Sequence, residues 1–95
     1  MYKEVSFQEC ILDALADDGE SIIQIEGYFR HTTYKTNRAE IKDVMVQLLN
    51  DGLIQIVYPP NKTKEDFINS NILTIEDFWF EQTEKGREIW DKIEF

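Results

Sequence analysis

The sequence predicts an α+β domain, mainly α: three helices, a two- or three-stranded β-wing and a C-terminal helix. Three observations predict it. An apolar stripe at helical spacing, Ile41, Val44, Met45, Leu48 and Leu49, marks one strong helix. Two runs rich in β-branched and aromatic residues, Leu53 to Tyr58 and Phe78 to Gln82, flank a long polar segment. Residues suited to helix capping, Ser6, Ser21, Asn37 and Thr83, stand just before the helical patterns.

Ser6-Phe7-Gln8-Glu9 reads as a capping box, with Val5 placed to staple onto Cys10. Phe7, Ile11, Ala14 and Leu15 then share a helical face, and Gly19 suits a stop, so the first helix is expected over Phe7 to Asp17. Ser21 and Gln24 form a second capping box, and Ile22, Ile25, Tyr28 and Phe29 continue at helical spacing to about Arg30. Ile22-Ile23 also fits the start of a short strand. The polar, β-branched stretch His31 to Thr36 suits a turn. Asn37 and Glu40 open the third helix, and Asn50-Asp51-Gly52 ends it, with Leu53 folding back.

Pro59-Pro60 ends the first strand, because proline cannot donate to a ladder. The segment Asn61 to Asp77 is polar at first, with Ile72 to Ile75 suited to local pairing and Phe67 to anchoring a partner. Thr83 caps the last helix, where Ile89, Trp90 and Ile93 share a face; Trp79 and Trp90 are expected in the core.

At 95 residues the chain suits one domain, and 42% hydrophobic with 13% aromatic residues is enough apolar material for one modest core. The single Cys10 excludes an internal disulfide and any multi-cysteine metal site. Metal sites need several His, Cys or carboxylates in register, and His31 is the only histidine. Asp17-Asp18-Gly19-Glu20 lacks the spaced ligands of a calcium loop. No catalytic constellation and no phosphate-cradling glycine motif occurs, so neither an enzyme nor a cofactor is expected. Met1-Tyr2-Lys3-Glu4 has no signal pattern, and no apolar run approaches the ~20 residues of a membrane span. A cytoplasmic protein without membrane contact is the expectation.

Formal net charge is −9, unevenly spread. Residues 1–26 sum to −6, residues 27–50 to +2 and residues 51–95 to −5. The positive segment holds Arg30, Lys35, Arg38 and Lys42, interleaved with Thr32, Thr33, Tyr34, Thr36 and Asn37.

Two motifs carry a family resemblance. Val46-Gln47-Leu48-Leu49-Asn50-Asp51-Gly52-Leu53-Ile54 resembles the junction at which a winged helix-turn-helix domain drops from its third helix into the first wing strand. Phe80-Glu81-Gln82-Thr83-Glu84-Lys85-Gly86-Arg87 resembles the segment that ends the wing and opens the last helix. The pairing looks like transcriptional regulators of the MarR and PadR type. Gln82 stands where that family usually has leucine, and the long wing offers only Lys62 and Lys64 where relatives place an arginine. The resemblance implies a homodimer on double-stranded DNA, its contact made by the first or last helix. The DNA-binding candidates are then Arg30, Thr33, Tyr34, Lys35, Thr36, Asn37, Arg38 and Lys42, at the surface that enters a major groove. Four cations predict a salt slope of about −3.6 per subunit. The alternative is an acidic protein-binding module of the inhibitor, immunity or adaptor kind. It would dock a basic protein through Asp13, Asp17, Asp18, Glu20 and Glu26.

Overall fold

A computed structural model describes residues 6–17, 19–32 and 35–93. Val5, Asp18, Thr33 and Tyr34, which figure in the expectations above, lie outside the described residues. The elements in order are α1 (Phe7–Ala14), β1 (Glu20–Ser21), α2 (Ile22–Arg30), α3 (Arg38–Asn50), β2 (Ile54–Tyr58), α4 (Lys64–Ile68), a 3-10 turn (Ile75–Asp77), β3 (Trp79–Gln82) and α5 (Glu84–Asp91). The fold is α+β. The three strands form one antiparallel sheet in the order β1-β3-β2.

The caps behave as capping chemistry requires. Ser6 and Glu9 satisfy each other's backbone amides, and Ser21 N–H donates to Gln24 Oε1 at 3.0 Å. Glu40 N–H donates to Asn37 Oδ1 at 3.0 Å. Helix α1 ends at Ala14, not Asp17: the chain tightens to i→i−3 bonds, Leu15 N–H on Leu12 O and Ala16 N–H on Asp13 O, each at 3.1 Å, with Leu15 and Ala16 buried. Helix α2 ends at Arg30 as expected. The third strand is Glu20–Ser21, immediately before Ile22, and not a pairing of Ile72 to Ile75, which lie in turns and the 3-10 segment.

The core gathers Ile11, Leu12, Ile22, Ile25, Phe29, Ile41, Met45 and Leu48 from the first three helices against Ile54 and Phe80 of the sheet. The segment between β2 and β3 is also part of this core. Thr63 caps α4, with Thr63 N–H donating to Asp66 Oδ2 at 2.7 Å. That turn buries Phe67 completely, edge-on to Phe80 at 5.0 Å and to Phe78 at 5.3 Å. Phe67 is therefore a core residue and no partner anchor. Trp90 and Ile93 pack against the core, whereas Ile89 is exposed, and Trp79 is exposed too, which corrects its expected place in the core. Trp79 alternates with the buried Phe80, so one of the two had to face outward.

The two motif junctions meet. Gly52, at φ 73°, lets α3 end with Gly52 N–H on Leu49 O (3.1 Å) and Leu53 N–H on Leu48 O (2.9 Å), the paired bonds of a Schellman stop. The freed Gly52 and Leu53 carbonyls then accept from Thr83 Oγ1 at 2.6 Å and Thr83 N–H at 3.0 Å. Gly86 lies directly on the Leu53 carbonyl: a Cβ there would sit 1.9 Å from that oxygen.

Gly86→Ala must therefore push backbone from backbone. It should cost about 3 kcal/mol or more, the upper range for overpacking, while Gly52→Ala should cost about 1–2 kcal/mol for left-handed strain alone. Urea denaturation of the two variants checks the order.

Candidate interaction surfaces

The surface predicted to meet DNA is built by the end of α2 and the start of α3. A groove of about 330 Å³ runs between them, lined among others by Glu26, Arg30, Lys35, Thr36 and Asn37. Arg30 and Lys35 are exposed at its rim. Asn37 is occupied at both ends: Oδ1 caps α3, and Nδ2 donates to Glu40 Oε1 at 3.1 Å. Thr36 Oγ1 lies 3.4 Å from Glu40 Oε2.

Arg38 and Lys42, one turn apart on α3, face elsewhere. Arg38 Nη2 donates to Glu26 Oε1 of α2 at 2.6 Å, and Nη1 reaches Glu76 Oε2 and Ile72 O of the β2–β3 segment, each at 3.4 Å. Its side chain is 24% exposed. The Glu26 carboxylate bonded to it raises the guanidinium pKa further above its ordinary value. Lys42 Nζ donates to Ser70 O at 2.7 Å and Ile68 O at 3.1 Å, with the Phe67 ring centroid 5.8 Å away. Ile68 O belongs to the last turn of α4 and Ser70 O lies just past its C-cap, where a cation is a natural partner. The β2–β3 segment thus lies against α3 and takes up two of the four cations counted for DNA.

The acidic region expected as a docking face is also partly committed. Asp13 accepts from Tyr28 Oη at 2.9 Å and from Trp90 Nε1 at 3.0 Å, tying α1 to α2 and α5. Burial, then the bond to Asp13, pushes the Tyr28 hydroxyl well above the usual tyrosine range. Glu26 belongs to Arg38. Asp17 is exposed, and Glu20 is half-buried within β1.

Cys10 is buried on α1, and burial raises its thiol pKa. His31 is exposed just past α2. Among the described residues no three His, Cys, Asp or Glu side chains gather as metal ligands, and no helix is long and apolar enough to cross a membrane.

The feature that sequence reasoning missed is on the outer face of the sheet. Val57 is 37%, Tyr58 57% and Trp79 36% exposed. The cause is a register shift between Ile56 and Tyr58, which turns two successive β2 residues to solvent. Comparison with family models, with curated proteins and with solved structures returns no match.

Because Glu26 holds Arg38 more closely than Glu76 does and is less exposed, Glu26→Gln should destabilise by about 1 kcal/mol. Glu76→Gln should cost at most about 0.5 kcal/mol, as for an exposed pair. Chemical denaturation of both variants tests that order. The buried Cys10 thiol should react with Ellman's reagent far more slowly in the native protein than in urea.

Proposed function

We propose that this chain is a winged-helix module that acts by binding a basic partner protein. Element order supports the winged-helix part: three helices, a wing formed by β2 and β3 with β1 as the third strand, and a closing helix. The observation that carries the protein-binding part is the clamp on α3. Arg38 sits between Glu26 and Glu76, and Lys42 is held by two carbonyls, so the helix that would enter a groove spends its cations on its own chain. A nucleic-acid surface needs cations aimed at phosphates. Net charge of −9 repels a polyanion and attracts a basic surface.

A second reading keeps DNA as the partner, and one observation favours it: Arg30 and Lys35 line the α2–α3 groove and are exposed. Two phosphate contacts give a salt slope of only about −1.8 per subunit.

The test is retention of partners from a soluble extract by the tagged chain, with and without nuclease. The expected result is retention of proteins of pI above about 9, unchanged by nuclease and weakened by salt. Fluorescence anisotropy with a labelled mixed-sequence duplex should show no binding at physiological salt. Tight duplex binding lost in Arg30→Ala/Lys35→Ala would instead select the second reading.

A further inference from the structure

The outer face of the sheet is an exposed aromatic patch inside an acidic frame. Trp79 and Tyr58 are cross-strand partners, so their side chains lie side by side. Val57 joins them through the register shift. Its Cγ2 would lie 3.6 Å from a Cβ at Gly19, so it reaches toward the residue that precedes β1. Gln55 and Glu81, bonded at 2.6 Å, continue the same face.

Charge on and around this face has one dominant sign. The three strands contain no lysine or arginine; Glu81 shares the face of Trp79, while Glu20 lies opposite the inward Phe80 and is half-buried. Asp17 and Asp77, both exposed, flank β1 and β3 in the chain. Arg87 shares a small pocket with Asp17 and Glu81, but its guanidinium donates to Ala16 O at 2.9 Å and lies over the Trp90 ring. Lys62 shares a groove with Asp66 and Asp77.

We infer that Val57, Tyr58 and Trp79 form the docking surface for the basic partner, receiving an apolar or aromatic side chain flanked by lysine or arginine. The inference rests on the protein-binding reading and adds the surface and the chemistry of what fills it. Aromatic side chains of this kind supply contact area at low entropic cost and commonly dominate interfaces. Cations of the partner would meet the carboxylate frame and the faces of Tyr58 and Trp79. A second copy of the chain is the wrong occupant, because it would bring −9 against −9. Addition of a partner strand along β2 is also disfavoured, since the register shift and Pro59-Pro60 interrupt that edge.

Selection from a random-peptide display library against the full chain tests this. The expected peptides carry lysine or arginine beside an aromatic or large aliphatic residue. Their binding should weaken about tenfold in Tyr58→Ser and further in Tyr58→Ser/Trp79→Thr, with circular dichroism matching wild type. Tyr58→Ser alone keeps the test valid if the double variant misfolds, because that side chain is the most exposed of the three. Basic peptides that bind Tyr58→Ser as well as wild type would overturn the docking surface and leave the protein-binding reading standing. Acidic or neutral peptides, or none, would overturn both. A dimer on size exclusion that Tyr58→Ser dissociates would overturn the assignment to a basic partner.

Discussion

The contact on which the other elements depend is the meeting of the α3 exit with the α5 entry. Gly52 lets the chain reverse, and the two carbonyls this exposes are taken by Thr83. Lys85 Nζ adds a bond to Asp51 O at 3.0 Å. Gly86 then permits backbone to lie on backbone. One end of β2 and one end of β3 are thereby fixed at the same point, so strand register follows: Ile54 opposite Gln82, and Ile56 opposite Phe80. The α5 helix leaves that point along α1, where Trp90 finds Asp13. Gln82 also belongs to this corner: its Nε2 donates to Leu12 O at 2.7 Å. That carbonyl also accepts from Leu15 N–H at 3.1 Å, and a leucine at 82 would remove the side-chain bond that ties β3 to α1.

Much of this architecture was legible in the sequence, because it is written in local chemistry. Caps at Ser6, Ser21, Asn37 and Thr83 mark helix starts wherever they stand. The stripe from Ile41 to Leu49 needs only helical period. What was not legible depended on tertiary context. Two residues, Glu20–Ser21, become a strand only because β3 passes beside them. Five residues, Lys64–Ile68, are too short for periodicity, and the only local signal was Thr63 with Asp66 three positions on. The exposed pair Val57 and Tyr58 required the register shift, which no alternation rule announces.

The candidate site was less legible than the fold for the same reason. A count of charges along residues 27–50 records that Arg38 and Lys42 are present, not where they point. Their partners are 26 to 38 positions downstream, or 12 upstream in the case of Glu26. The long polar segment between the strands reads as a surface loop until Phe67 and Ile75 are seen fully buried beneath it. Once those two anchors are fixed, Glu76 and the Ile68 and Ser70 carbonyls are carried onto α3, and the local excess of positive charge is cancelled there.

This arrangement also changes what the net charge means. Lys42, Lys85 and Arg87 satisfy carbonyls of the chain itself at helix ends and turns, and Arg38 reaches one carbonyl besides the carboxylates of Glu26 and Glu76. Carbonyls are neutral, so such a bond leaves the total at −9 while directing the cation away from an approaching partner. The surface a partner meets is consequently more acidic than sequence balance suggests. Within the screening distance of about 8 Å at physiological salt, local geometry and not formal charge decides which molecule is drawn in. An exposed aromatic pair beside carboxylates then has a consistent electrostatic setting, and the fold supplies it with the same backbone bonds that hold β2 and β3 in place.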